Sequence, residues 1–368
     1  MSRKGANAFI GFFALSITIS TTIAQDTGKE ESHQEIESRG QDLSNAATQY
    51  RWVETRTETN DRKVETQILE TPSIEGEYEP FVESEEESIQ VNSQTTRVIR
   101  RLFARDPDRR RKVIEILEEE RRNQPGGGIS VTRTVSSSDL NGRFQVIRRE
   151  IQETVPVNSH LQQTRTTVLL PDINGGFAAS EQIHKTERRE DAGTVEIETT
   201  HLLPEANGRW EPYQKKVRVI HGQTNEVETE EQHTYRRDAN GKLSLAERRV
   251  SRRWKDAEGK EHQTVETYSR NIAGVIHNED DRLNLDQRIR TVRSTRPDGS
   301  QVVVQELERR PVLAPGDGLR VVERVVEVAE PKGQGTEKLR EVQALDGSGR
   351  LRKRFTLKTR ESEESLKQ

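Results

Sequence analysis

The sequence predicts an all-β fold, an extended antiparallel meander of about nine hairpin repeats with long, twisted strands. Three observations carry this prediction. Glycines recur every 33 residues, mostly in an Asp-x-Asn-Gly context, at positions 142, 175, 208, 241 and 274. A second series of turn residues, including Gly126, Gly193 and Gly259, falls halfway between them. The segments between turns are rich in Val, Ile and Thr, which favour strands. Each repeat is therefore expected to be two strands and two turns.

The N-terminus has the features of a secretory signal peptide over residues 1–24. Arg3 and Lys4 precede an apolar run at 8–20, and Thr22-Ile23-Ala24 is an acceptable small-residue cleavage site. The alternative is a membrane anchor, but the run has 13 residues, fewer than the roughly 20 that a spanning helix needs. The sequence contains no cysteine, so no disulfide framework is possible. An exported bacterial protein, secreted or periplasmic, is predicted.

Composition divides the mature chain further. Residues 25–45 and 356–368 hold few apolar side chains and are expected to be a disordered leader and tail, flanking a β-hairpin repeat region at 46–355. Only 30% of the chain is hydrophobic while 33% is charged, which leaves little material for a conventional core. The basic run at 97–112 lacks any surrounding nucleic-acid module, so no nucleic-acid partner is expected.

The turn residues specify a particular turn. In Asp-x-Asn-Gly, the aspartate suits the first position of a type I turn, and the glycine supplies the positive φ that follows it. Half a period less a four-residue turn leaves strands of roughly 12 residues, about 40 Å long. The repeat is interrupted once, by nine added residues between Gly274 and Gly316.

One segment has two interpretations. Residues 106–122, "DPDRRRKVIEILEEERR", could form a short helix with Asp106 as its N-cap and Pro107 in its first turn. The repeat register instead aligns Val113-Ile114 with Val146-Ile147, and this alignment favours a strand.

Large apolar residues form two rows. One row stands two residues after the turn glycines, and its members Tyr78, Phe144, Phe177 and Trp210 form a possible aromatic ladder for a ligand. A second row stands nine residues after the glycines, as in Ile151, Val217 and Val250. Offsets of two and nine differ in parity, so a regular strand would place the rows on opposite faces. Charges fill the space between them, which predicts a strongly twisted or bulged sheet with thin apolar patches.

Two other β architectures conflict with the charge pattern. A transmembrane barrel needs a lipid-facing apolar band on alternate residues, whereas charges here occur on both parities, so no transmembrane segment is expected in the mature chain. A parallel β-solenoid needs an apolar interior, and the arginines in the middle of the strands are incompatible with one.

The segment "YRRDANGKL" at 235–243 is similar to the tyrosine–aspartate repeats of large bacterial shell toxins, over one repeat. As a whole, the chain resembles secreted bacterial proteins built from β-hairpin repeats. That resemblance implies the fold and an exported location, and no activity.

No catalytic or metal-binding constellation is apparent. The histidines lack metal-ligand spacing, and there is no cysteine nucleophile, Gly-x-Ser-x-Gly elbow or phosphate-binding glycine loop. The predicted role is a non-enzymatic structural or interaction scaffold, without cofactor or metal. Its partner is expected to be an unknown protein or polysaccharide, with self-association through sheet edges. The alternative is a binding module for an extended glycan or peptide, using the aromatic ladder or an open sheet edge.

Overall fold

A computed structural model describes most of the chain. The described residues are 29–40, 48–58, 62–72, 78–105, 110–139, 141–190, 193–224, 227–238, 240–270, 283–310, 318–332 and 335–365. The predicted signal peptide at 1–24 lies outside them, as do Gly76, Gly274 and Gly316.

The described chain is built from twenty β-strands. They run from nine residues, as in β15, to fifteen, as in β4, which agrees with the predicted length. The strands are β1 (Lys29–Gly40), β2 (Thr48–Glu58), β3 (Arg62–Pro72), β4 (Tyr78–Asn92), β5 (Thr95–Arg105), β6 (Arg111–Asn123), β7 (Ile129–Ser138), β8 (Phe144–Asn158), β9 (Leu161–Pro171), β10 (Phe177–Arg189), β11 (Val195–Pro204), β12 (Trp210–Thr224), β13 (Val227–Arg237), β14 (Leu243–Lys255), β15 (Glu261–Ser269), β16 (Asn284–Thr295), β17 (Gln301–Arg309), β18 (Arg320–Lys332), β19 (Gly335–Leu345) and β20 (Leu351–Ser365).

The strands form one antiparallel meander that closes on itself. Each strand pairs with the next in sequence, and β1 pairs with β20 from Glu30↔Ser365 to Gly40↔Phe355. The predicted all-β meander of hairpin repeats is thus confirmed. Its closure into a barrel was not predicted, and it leaves no unpaired strand among the described ones.

The two strands that close the sheet occupy segments that were predicted to be disordered. Residues 29–40 of the expected leader form β1, and residues 356–365 of the expected tail belong to β20. The prediction rested on a lack of apolar side chains. These segments are instead ordered by backbone hydrogen bonds to neighbours on both sides, which do not depend on side-chain hydrophobicity.

The predicted turns are confirmed where they are described. In the turn at 139–143, the Gly142 N–H donates to the Asp139 carbonyl at 2.9 Å, and Asp139 Oδ1 accepts from the N–H groups of Asn141 and Arg143 at 2.8 Å. Gly142 has φ of 77°, in the left-handed region that glycine enters without strain. The same backbone pattern recurs around Gly175, Gly208, Gly241 and Gly349.

The two turn series occupy the two ends of the barrel. The first series joins each odd-numbered strand to the next strand, and this long-loop end includes the longest connections, 270–283 and 310–319. The second series, around Gly193, Gly259 and Gly299, joins even-numbered strands to odd-numbered ones with short turns. The start of β1 and the end of β20 lie at this short-turn end. Most of the predicted nine-residue insertion falls between β14 and β16, whose bulges at Ala246 and Asp286 are 40 residues apart instead of 33.

The ambiguous segment is a strand. Residues 111–123 form β6, which pairs with β5 through Leu117↔Arg100 and with β7 through Leu117↔Val135. Residues 106–109 lie outside the described part. Pairing on both sides satisfies every backbone group of the segment's middle, so the repeat register prevails over local helix propensity.

Only one helical element occurs among the described residues, a short 3-10 turn at Pro125–Gly127. No helix in this part of the chain is both long and apolar enough to cross a membrane.

A β-bulge interrupts nearly every even-numbered strand close to the long-loop end. The bulges lie on β4 through β20, five residues after the turn glycine where the repeat is regular. A bulge adds one residue to one strand of a pair and increases the local twist. The extra residues are Phe81, Ile114, Ile147, Ser180, Tyr213, Ala246, Asp286, Val322 and Arg354.

The bulges overturn the prediction that the two apolar rows lie on opposite faces. Trp210 pairs with Pro204 and Val217 pairs with Glu198, two residues of regular β11 that are an even number apart and so share a face. The bulge at Tyr213 lies between Trp210 and Val217 and restores their parity. Both rows therefore lie on one face, here called the ladder face, and the opposite side is called the reverse face.

Apolar burial is thin and divided between the two faces. Val250 on the ladder face and Val265 on the reverse face are both buried, and each is flanked by polar partners, Glu231 and Ser251 respectively. A single-layer sheet covers these side chains only with their neighbours on the same face. Backbone pairing and cross-strand contacts, rather than a central core, hold the fold together.

The turn at 346–350 offers an internal test of the glycine assignment. Gly349 has φ of 78°, whereas Gly347 does not lie in the left-handed region, and a Cβ at either position meets no atom within 4 Å. Gly349→Ala should lower the free energy of unfolding by about 1 kcal/mol because alanine is strained at positive φ. The control Gly347→Ala should be neutral or slightly stabilising. Urea unfolding measures both, and equal effects would contradict the turn geometry.

Candidate functional site: a band of paired charges

The most regular side-chain feature of the barrel is a band of alternating charge on the ladder face. From β11 to β18, the even-numbered strands supply cations and the odd-numbered strands supply glutamates at about the same height. We call this set the ion-pair band; its members are Glu198, Lys215, Glu231, Arg248, Glu266, Arg288, Glu306, Glu308 and Arg324.

The contacts of the band are direct. Lys215 Nζ lies 2.9 Å from Glu198, and Arg248 Nε donates to Glu231 at 2.7 Å. Arg324 Nη2 donates to Glu306 at 2.6 Å. Cross-strand pairs of opposite charge stabilise neighbouring strands, while like charges in the same places would destabilise them. The band therefore fixes the strand register where an apolar face would otherwise do so.

Arg288 is the most connected member. Its guanidinium reaches Glu266 at 2.9 Å on β15 and Glu308 at 3.3 Å on β17, and Arg290 also reaches Glu308 at 3.3 Å. Glu308 is only 7% exposed. A carboxylate this poorly hydrated needs its cations, because burying an unpaired charge is costly.

A second sector of the same face has the reverse arrangement. Here the even strand β4 supplies Glu85 and Glu87, and the odd strands β3 and β5 supply Arg62 and Arg101. Glu87, 8% exposed, is 2.8 Å from Arg62 and 3.2 Å from Arg101. The sign alternates in both sectors, so what recurs is pairing rather than a fixed charge at each position.

The reverse face carries a different polar cluster. Glu181 Oε1 accepts a hydrogen bond from Tyr213 at 2.9 Å and lies 2.7 Å from His201 Nδ1. Tyr213 is the extra residue of the β12 bulge, and its ring meets that of His201 edge-on. Sequence reasoning missed this cluster because a bulge position decides which way Tyr213 points.

The predicted aromatic ladder is a row of separate side chains. Phe144, Phe177 and Trp210 each begin an even-numbered strand at the long-loop end, and Phe144 is 42% exposed. An odd-numbered strand lies between consecutive members, so they are spaced by about 9.5 Å. Arg149 covers the Phe177 ring at 4.4 Å. The Tyr78 side chain lies outside the described residues, and the use of the row as a ligand platform stays a prediction.

The turn carboxylates are occupied by their own turns. Asp346 Oδ1 accepts from the Ser348 hydroxyl at 2.6 Å and from the N–H groups of Ser348 and Arg350. These hydrogen bonds, led by that of Ser348, lower the pKa of Asp346 to about 2. No group of three or more potential metal ligands occurs in the described part of the chain.

The ion-pair band was visible in the sequence but was misread. Two of its cations, Lys215 and Arg248, stand seven residues after a turn glycine. The sequence-based interpretation took such charges only as a sign of a twisted or bulged sheet with thin apolar patches. The pairing could have been recognised from the glutamates that the odd-numbered strands carry at the same height as these cations.

Comparisons with known proteins give only distant similarities. No protein-family model and no curated protein matches the chain. The siderophore receptor PirA from Pseudomonas aeruginosa superposes with a TM-score of 0.46 and 8% identity, over 93% of this chain and 81% of that one. OpdL of Pseudomonas aeruginosa gives 0.45 and 9%, over 93% and 99% of the two chains. Salmonella typhi OmpF, in complex with daunomycin, gives 0.38 and 7%, over 93% and 99%.

Several predictions about role are wrong. A scaffold made from an open meander conflicts with the closed sheet, as does a binding module that uses an open sheet edge. Self-association through sheet edges fails for the same reason, because the described sheet leaves no strand unpaired.

The predictions about location and partners need correction as well. The predictions of a secreted protein, of a mature chain without a transmembrane segment and of a protein or polysaccharide partner are wrong. They were made for an open sheet, whereas the described strands close into a ring. The coarser prediction of a cell-envelope location is kept.

Arg288 provides the test of the ion-pair band. Arg288→Ala should lower the free energy of unfolding by about 3 kcal/mol, because it leaves Glu266 and buried Glu308 short of a cation. Arg293→Ala is the matched control: Arg293 lies on the same strand, is exposed, and should change stability by less than about 0.5 kcal/mol. Urea unfolding compares the two. A double variant Arg288→Ala, Glu308→Gln should recover part of the loss, and equal effects of the two single variants would contradict the band's role.

Proposed function

We propose that the closed sheet is a channel-type conduit for small polar solutes in the bacterial cell envelope. The observation that carries the proposal is the pairing of β1 with β20, which turns a meander into a ring. A closed sheet of this kind encloses a lumen, whereas an open one does not.

The number of strands supports a wide lumen. Eight strands leave just enough room for side chains, and barrels of 16 to 18 strands leave an aqueous channel. With twenty strands, this ring is wider than those. The described residues are strands and their connections, and none of them forms a separate plug domain.

The two ends of the barrel differ in a way that suits a conduit set in a membrane. Membrane barrels have short turns at one end and longer loops at the other. Here the short turns share one end, and the connections 270–283 and 310–319 lie at the other.

Charged side chains lie on both faces of the sheet, so whichever face meets lipid brings charges into contact with it. Arg101 pairs with Glu85 on the ladder face at 2.9 Å, and Arg100 Nε pairs with Glu86 on the reverse face at 2.8 Å. A cation facing the middle of a bilayer costs about 2–4 kcal/mol in membrane barrels. Pairing each cation with a carboxylate on the next strand offsets part of that cost, and on the lumen side it keeps the passage hydrophilic with little net charge.

The finer location in this proposal is the envelope membrane itself, rather than the periplasm or the exterior. Passage of solutes through a lumen requires no chemical step. That the chain is not an enzyme stays a prediction.

Permeability measurements test the proposed function. The purified full chain should insert into planar lipid bilayers as discrete conductance steps, and liposomes that contain it should admit neutral polar solutes up to a sharp size limit. A heat-denatured sample of the same preparation is the control. Absence of conductance steps together with release of the protein from membranes by alkaline carbonate would overturn the proposal.

A paired substitution should reveal which face meets lipid. Arg101→Leu with Glu85→Leu removes a pair from the ladder face, and Arg100→Leu with Glu86→Leu removes one from the reverse face at the same height. The double variant on the lipid side should increase the fraction of protein that inserts into liposomes, because it removes a cation whose burial in lipid costs about 2–4 kcal/mol. The double variant on the other face should leave that fraction unchanged. If neither pair raises insertion, the barrel wall does not contact lipid at this height.

A further inference from the structure

Three cations without ion-pair partners lie together on the reverse face. Lys216 on β12 is opposite Thr234 on β13, Arg236 on β13 is opposite Gln214, and Arg249 on β14 is opposite Gln232. We call Lys216, Arg236 and Arg249 the cation triad. Lys216 and Arg236 are diagonal neighbours, about 7–8 Å apart, whereas Arg249 is four residues from Arg236 in register. Thr234 lies between the three, and their long side chains can converge above it.

The triad differs from the cations around it. On the same face, Arg218 binds Glu230 at 2.7 Å and Arg253 lies 3.7 Å from Glu228. By contrast, the three triad members form no ion pair with any described residue. Lys216 and Arg236 are like charges at diagonal cross-strand positions, and the residues opposite all three triad members are neutral. A fold that pairs the neighbouring cations but leaves these three without a carboxylate points to a counter-ion from solution.

Polar groups suited to an anion surround the triad. Thr234 lies at its centre and is only 4% exposed, and its Oγ1 accepts a hydrogen bond from Gln232 Nε2 at 3.5 Å. Glu247 is the carboxylate nearest the triad, opposite Thr234 on β14, and it also forms no ion pair with any described residue. Three cations and one carboxylate leave the cluster with a net charge of two positive units.

We propose that the cation triad binds a compact oxyanion of the phosphate class that carries at least two negative charges. Arginine and lysine together suit such a ligand, since guanidinium groups bind phosphate oxygens in a fixed fork and an ammonium adds a point charge. Lys216 and Arg249 are two strands apart and offset by two residues along the strands, which places their Cα atoms about 12 Å apart, a span that fits a diphosphate better than a single phosphate.

Inorganic pyrophosphate is the probe, and isothermal titration calorimetry on the full folded chain at low salt is the measurement. Lys216→Ala and Arg249→Ala should each weaken binding about tenfold, since each removes a charge-assisted hydrogen bond to the ligand. Glu247→Gln should strengthen binding severalfold because it removes a repulsive charge. Arg253→Ala, a paired and exposed cation on the same face, should leave affinity unchanged.

The outcomes separate this site from the conduit. Circular dichroism and urea unfolding establish that each variant is folded, so that a loss of binding is not a loss of structure. No detectable pyrophosphate binding, equal weakening by Arg253→Ala, or weaker binding in Glu247→Gln would each overturn the proposal. Calorimetry measures binding without a membrane and without solute flux. Its result is therefore independent of the permeability measurements, and either proposal can be overturned without the other.

Discussion

The antiparallel pairing of β1 with β20 is the constraint on which the rest of the structure depends. A twenty-strand open sheet would leave two rows of unpaired backbone groups, each a template for association with another chain. Closure removes both rows at once. It also explains why segments as polar as residues 29–40 are ordered: they are held by neighbours on both sides rather than by burial of their own side chains. A lumen follows from the same pairing, and with it the functional interpretation.

Turns and bulges act together to give the wall its two faces. The glycine turns set the length of each hairpin, and the bulge that follows a few residues later changes which side chains share a face. Trp210 and Val217 lie on one side of the sheet only because Tyr213 intervenes. The same bulge turns Tyr213 toward Glu181 and His201 on the reverse face. Local twist and the chemistry of both surfaces therefore share one backbone feature.

Charge takes the place that apolar packing has in most folds. The buried apolar residues are scattered over both faces, and between them stand glutamates whose cations come from the adjacent strands. Such pairs specify register, because a one-residue slip would move every charge to the other face and break every pair. Their net contribution to stability depends on burial, so Arg288 with Glu308 counts for more than exposed pairs at the rim. On the reverse face, Lys216, Arg236 and Arg249 have no such partner among the described residues.

The sequence by itself determined the length of the hairpins and the turns that join their strands. The 33-residue spacing gave the hairpins, Asp-x-Asn-Gly gave the turns around Gly142 and Gly241, and the register correctly made 111–123 a strand. Only the tertiary structure decided what depends on distant segments: that β1 meets β20, that a bulge brings Trp210 and Val217 to one face, and that Glu308 lies between two arginines. The reason is that a turn is specified by the four or five residues that form it. Closure and cross-strand pairing join residues up to the full length of the chain apart, and no local pattern records which strand becomes a neighbour.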